Sequence, residues 1–127
     1  MNTEEFLGID HHSILVADVA RSRDFYTRIV GLEVDPSRPE LAFDGIWFRV
    51  GAQAIHCLCL DNPDPVQGRP EHGGRDRHVC LKIRRLQPLI DRLQAASIPF
   101  TRSRSGRAAL FFRDPDGNAI EVTESPD

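Results

Sequence analysis

The chain of 127 residues repeats itself, and no other feature restricts its fold as strongly. Near the start, His11-His12-Ser13-Ile14-Leu15-Val16 runs into a helical pattern, and His78-Val79-Cys80-Leu81-Lys82-Ile83 does the same 67 residues later. Each half then carries a matching pair of strand-like runs. Phe48-Arg49 leads to Ala54-Ile55-His56, and Phe112-Arg113 leads to Ala119-Ile120-Glu121, which places His56 and Glu121 65 residues apart. The connections differ by one residue: Asp114-Pro115-Asp116-Gly117 closes the second, and a tighter turn containing Gly51 closes the first. Surface loops absorb such differences readily.

Periodicity gives each half the same order of elements. Residues 9–16 and 77–83 are short β-branched or apolar runs and read as strands. Asp18 is a candidate N-cap for a helix carrying Val19, Tyr26, Ile29 and Val30 at helical spacing, and Gly31 ends it. The second helix places Leu86, Leu89, Ile90, Leu93 and Ala96 on one face, with Pro88 tolerated in the first turn. Strands follow over 32–34, 46–50 and 54–60, and again over 100–104, 109–113 and 119–123. Both halves therefore read βαβββ, as module one over about 8–60 and module two over about 77–124. The Pro-, Gly- and charge-rich stretch 61–76 is the linker. The length suits one domain.

Composition removes several classes. A net charge of −3, with Lys82 the one lysine among 16 basic residues, argues against a nucleic-acid partner. No apolar run approaches the roughly 20 residues of a membrane span, and the acidic start MNTEEFLGID lacks the basic opening of a secretory signal. The expectation is a soluble cytoplasmic protein. Cys57, Cys59 and Cys80 are odd in number and show no C-x-x-C spacing, so they read as reduced strand residues.

Successive strand side chains alternate faces, and this sorts the chemistry. His11, Ser13 and Leu15 share one face of the first strand; His78, Cys80 and Lys82 share the equivalent face of its duplicate. His12, Ile14 and Val16 fall on the helix side, which gives His12 a structural role. His11 and His78 are thus equivalent, as are His56 and Glu121, so four metal-type side chains occupy two pairs of duplicated positions. A lone strand histidine is more often packed or merely exposed; the duplication is what favours ligands.

Asp10-His11 with Asp18 and Phe25-Tyr26 through Gly31-Leu32, then Arg77-His78-Val79, then Asp114-Pro115-Asp116-Gly117-Asn118 leading to Glu121, together resemble the vicinal oxygen chelate superfamily. That superfamily includes glyoxalase I, methylmalonyl-CoA epimerase, fosfomycin-resistance enzymes, extradiol dioxygenases and bleomycin-resistance proteins. The resemblance covers Ile9 to Glu124. It implies an α+β fold in which two tandem βαβββ modules form a cup-shaped mixed β-sheet with helices on the outer face. It also implies one divalent metal ion, Zn, Ni, Fe or Mn, at His11, His56, His78 and Glu121. Glyoxalase-like and epimerase members often hold Glu or Gln where this chain has His56, a departure that bears on any mechanism requiring a carboxylate base at both ends.

Neutral imidazoles and one carboxylate suit such ions and leave positions open for substrate oxygens. Family members use those positions to stabilise an enolate or similar anion, with residual positive charge offsetting the oxyanion. Glu121 is the candidate proton shuttle and His56 a candidate pure ligand. Lys82, Arg104 and His72 are candidate substrate contacts, with Arg102 and Arg107 clustered beside Arg104. The Asp114–Gly117 stretch reads as turn chemistry without a catalytic part.

The expected activity is glyoxalase-like isomerase or lyase chemistry on a small oxygen-rich or anionic substrate. An Fe(II) dioxygenase, a thiol transferase of the fosfomycin type and a non-enzymatic drug- or metabolite-sequestering protein are the alternatives. Because one module leaves an open sheet, modules must pair, and a homodimer is expected. The sequence leaves open whether pairing is within one chain or exchanged between two.

Overall fold

A computed structural model describes residues 5–126. The first module comprises β1 (His11–Leu15), α1 (Val19–Asp24) with a π-helical continuation (Phe25–Val30), β2 (Glu33–Val34), β3 (Gly45–Val50) and β4 (Gln53–Leu58). A 3₁₀ turn (Gly73–Arg75) ends the linker. The second module comprises β5 (His78–Ile83), α2 (Gln87–Ala95), β6 (Thr101–Arg102), β7 (Ala109–Arg113) and β8 (Ala119–Glu124). Both modules are βαβββ, as the repeat predicts. The expected strands over 32–34 and 100–104 shrink to two residues each because they lie at sheet edges, where one side has no ladder to extend pairing.

The sheets have matching orders, β1-β4-β3-β2 and β5-β8-β7-β6, with the first pair in each parallel and the others antiparallel. Register is duplicated as well. His11 lies opposite Ala54 and Ser13 opposite His56; in the second sheet His78 lies opposite Ala119 and Cys80 opposite Glu121.

Asp18 caps the first helix by accepting from the Arg21 amide at 3.0 Å, and Gly31 at φ 93° ends it with a left-handed residue. The last six residues before Gly31 are π-helical. Apolar spacing over so few residues cannot separate this wider turn from an α-helix. In α2, Leu89, Ile90 and Leu93 are buried, and the Leu86 amide at its start donates to the Glu124 carboxylate at 3.0 Å.

One core spans both modules. Tyr26, Phe48, Ile55, Leu89, Leu93, Leu110 and Ile120 are fully buried within it. The first helix touches both sheets, Tyr26 packing against Phe48 at 5.2 Å and Phe25 against Phe112 at 6.1 Å between ring centroids. Polar bonds reinforce this seam. The buried Asp114 accepts from the Tyr26 hydroxyl at 2.7 Å, Asp116 accepts from the Ala17 amide at 2.9 Å, and Asn118 donates to the Leu15 carbonyl at 3.0 Å. Arg92 of α2 donates to the carbonyls of Ile29 and Val30, which the helix end leaves without intrahelical partners. The Asp114–Asn118 turn thus also fastens the modules together. Among the described residues no helix is long and apolar enough to cross a membrane.

Candidate functional site

Alternation along β4 and β8 sends Ile55, Cys57, Ile120 and Val122 into the core and leaves His56 and Glu121 on the faces turned away from it. The identical registers then set each beside the first residue of the neighbouring parallel strand. His56 meets His11, and Glu121 meets His78.

In the first module the His11 and His56 rings stack with centroids 3.9 Å apart and planes 15° from parallel. Trp47, directly opposite His56 across β3 and β4, covers the other side of that ring at 3.8 Å and 3°. His56 is sandwiched. Its pKa is lowered, first by burial and then by His11, which favours the neutral imidazole that a metal requires. His12 is likewise lowered by burial and by His11. The Asp10 carboxylate sits 2.7 Å from His11 Nδ1. A partner of this kind fixes the tautomer so that Nε2 carries the lone pair.

In the second module His78 Nδ1 lies 2.8 Å from the Asp76 carbonyl, which can only accept, so Nδ1 carries hydrogen. His78 Nε2 then faces Glu121 Oε1 at 3.1 Å. Glu121 is 4% exposed, and its second oxygen accepts from Arg107 at 2.6 Å. Cys80 lies beside it in register; its thiol is pushed up by burial first and then by the Glu121 charge, while Arg107 and Lys82 act the other way. Phe111, buried on this face, carries both His78 at 5.2 Å and His72 at 4.8 Å edge-on. His72 is further held by Thr101 at 2.7 Å from its Nδ1.

The four expected ligands therefore come together as two pairs, His11 with His56 and His78 with Glu121. Within one chain no three His, Cys, Asp or Glu side chains among the described residues converge on a common point. A cleft of about 300 Å³ at the seam is lined by Ser13, Ile14, Arg69, Arg77, His78 and Asn118. A larger apolar one, about 580 Å³, lies by Phe25, Phe100, Phe111 and Phe112. Neither cleft joins the two pairs.

Of the expected substrate contacts, His72 shares Phe111 with His78, Lys82 is exposed two residues beyond Cys80, and Arg104 is exposed on the loop between β6 and β7. The arginine of that cluster which reaches Glu121 is Arg107. Arg102 and Arg104 fall in the expected strand over 100–104 and Arg107 in the loop after it, where alternation assigns no face, so nothing in the sequence sets Arg107 beside Glu121. Trp47 had a readable signal: duplicated hairpin register sets it opposite His56.

The donor set, three imidazoles and one carboxylate on duplicated positions, fits a divalent ion of the Zn, Ni, Fe or Mn type. Residues 8–122 match the family model described as Glyoxalase/Bleomycin resistance protein/Dioxygenase superfamily. The chain is 28% identical to "Glyoxylase I 4" of Arabidopsis thaliana over 95% of this chain and 72% of that protein. Its fold superposes on the crystal structure of a glyoxalase family protein from Bacillus anthracis with a TM-score of 0.80, at 25% identity over 98% of this chain and 99% of that one. It also superposes, at 18% identity and a TM-score of 0.70 over 94% and 93% of the two chains, on a single-site mutant of the fosfomycin resistance protein FosX of Listeria monocytogenes, solved with Mn(II) and 1S,2S-dihydroxypropylphosphonic acid. With its repeated βαβββ fold and a family match over nearly its whole length, the chain belongs to the glyoxalase, bleomycin resistance protein and dioxygenase superfamily, also called vicinal oxygen chelate.

Proposed function

We propose that the protein is a metal-dependent enzyme of the glyoxalase type, acting on a small oxygen-rich or anionic molecule by isomerase or lyase chemistry. The observation that carries this reading is the duplicated register, which gives both modules a donor pair at the same two positions. Relatives named for glyoxalase activity support it, and a protein of the same fold holds Mn(II).

His11, His56, His78 and Glu121 would hold the ion. When bound, a divalent ion supplies charge stabilisation for an oxyanion that develops on the substrate. Glu121 is the group to move a proton, being the one carboxylate of the four. Asp10 and the Asp76 carbonyl orient His11 and His78, and Trp47 confines His56. Lys82, Arg104 and His72 lie toward the substrate's side of the same module in this reading.

The two donor pairs meet in a homodimer, His11 and His56 of one copy with His78 and Glu121 of the other. The open edges of β1 and β5 and the separation of the pairs within one chain favour this. So does the segment leading into β1, where Phe6, Leu7 and Ile9 are 86%, 97% and 71% exposed, apolar surface that a second copy would cover. Three free cysteines accord with a reducing, cytoplasmic setting.

The stack of Trp47, His56 and His11 also offers a flat aromatic face, which favours sequestration of a planar ligand as the second reading. Metal analysis of untagged protein, then activity screening with Ni, Zn, Mn and anaerobic Fe(II), tests the proposal. Turnover restored by one ion to chelated protein supports it. Oxygen consumption under Fe(II) would make the protein a dioxygenase, and ligand binding that persists in chelator without turnover would make it a sequestering protein.

A further inference from the structure

We propose that Arg107 is a latch on Glu121: it holds the carboxylate until a divalent ion takes that oxygen, and the freed guanidinium then receives an anionic group of the substrate. This inference rests on the metal reading above.

Both Glu121 oxygens are engaged, Oε1 by His78 Nε2 at 3.1 Å and Oε2 by Arg107 at 2.6 Å, and the side chain is 5% exposed. An ion that takes the Oε2 lone pair now used by Arg107 must displace that guanidinium. His78 is fixed from behind by the Asp76 carbonyl and by Phe111, and it is itself a donor to the ion. Arg107 has no donor to offer and carries like charge, so it is the group that leaves. Arg107 leaves with its charge unchanged, because guanidinium stays protonated, and the proton shared between His78 Nε2 and Glu121 Oε1 is released when the ion takes Nε2.

The loop that bears Arg107 suits such a movement. Residues 104–108 are exposed, Ser103 and Ser105 are joined by a bond between their hydroxyls, and Ser105 Oγ accepts weakly from Arg107 Nε at 3.3 Å. No large apolar side chain anchors it, and Gly106 adopts φ 84°. Lys82, exposed and two residues beyond Cys80 on β5, is a second cation on the face that carries Glu121. The substrate this half-site favours therefore carries a carboxylate or phosphate group, which arginine's planar fork recognises in two-point fashion.

The test is calorimetric titration of Ni²⁺ into chelator-treated wild type, Arg107→Ala and, as a control for lost charge elsewhere, Arg85→Ala. Arg107→Ala is expected to bind Ni²⁺ about tenfold more tightly than wild type, the scale on which a ligand's own partner sets metal affinity. Arg85→Ala should match wild type. Thermal midpoints supply a second readout: Arg107→Ala should fall below wild type without the ion and coincide with it when loaded. On Ni²⁺-loaded protein, inorganic phosphate should bind Arg107→Ala at least several-fold more weakly than Arg85→Ala. Wild type that binds no divalent ion overturns the metal reading and the latch together. Binding by wild type with equal or weaker affinity in Arg107→Ala, or midpoints lowered equally with and without the ion, overturns the latch alone. Equal phosphate binding overturns its anion-receiving part.

Discussion

Trp47 lies flat against His56, ring centroids 3.8 Å apart and planes 3° from parallel, and it is the single tryptophan of the chain. Its emission is therefore a reporter placed on one expected ligand. Ni²⁺ or Co²⁺ added to chelated protein should quench this fluorescence strongly and Zn²⁺ far less, since open d-shells accept the excitation. Trp47→Ala should weaken ion binding by roughly tenfold through loss of the clamp, whereas Trp47→Phe, which keeps a stacking ring, should weaken it less. Quenching that never saturates would show that the ion does not bind beside His56.

The ligand pairs make unequal predictions for three groups on one face. His78→Ala and Glu121→Ala should each lower affinity for the ion at least as much as the roughly 10–100-fold typical of losing a mere hydrogen-bond partner of a ligand. His72→Ala should leave it unchanged, because His72 is engaged by Thr101 and Phe111. Titration of the three variants decides the matter, and equal behaviour would remove His78 and Glu121 from the ligand set.

Light scattering should give twice the mass of the chain at working concentration. A Phe6→Asp, Leu7→Asp double variant should shift the species toward monomer and reduce bound ion in parallel, since each copy supplies only one pair to a site. A monomer that binds the ion fully would show that the pairs meet within one chain.

Stability should fall at alkaline pH. The Cys57 thiol is pushed up to about 12 by burial, reinforced by the charges of Asp114 and Asp116, and the Tyr26 hydroxyl is raised well above its usual value, again by burial first and then by Asp114. Both groups hold their protons more tightly folded than unfolded. The stabilisation is thus complete below the unfolded values, about 8.5 for a thiol and 10 for tyrosine, and is lost as pH rises toward the folded ones. Urea midpoints from about pH 8 to 11 should decline, with the thiol contributing up to about 1.4 kcal/mol per pH unit. Cys57→Ala should flatten the early part of that decline.

Tyr26 also donates the bond that holds Asp114 at the seam. Tyr26→Phe removes it without removing the ring, leaving a buried carboxylate short of a donor, which costs about 1–3 kcal/mol. Chemical denaturation reads this directly. A loss near zero would mean that Asn118 and the turn amides suffice for Asp114.

The repeat, the alternation and the helical spacing were legible because each is local: a strand's period of two and a helix's period of 3.6 are written in consecutive side chains. From them followed two βαβββ modules and the faces of His11, His56, His78 and Glu121. Tertiary structure alone decided the rest. It put the first helix against both sheets, turned the Asp114–Asn118 hairpin into a fastening between modules, stacked Trp47 on His56 and chose Arg107 over Arg102 and Arg104. It also kept the two donor pairs apart within one chain. Such pairings join residues many tens of positions distant, and they are set by how whole faces pack, which no short window of sequence encodes.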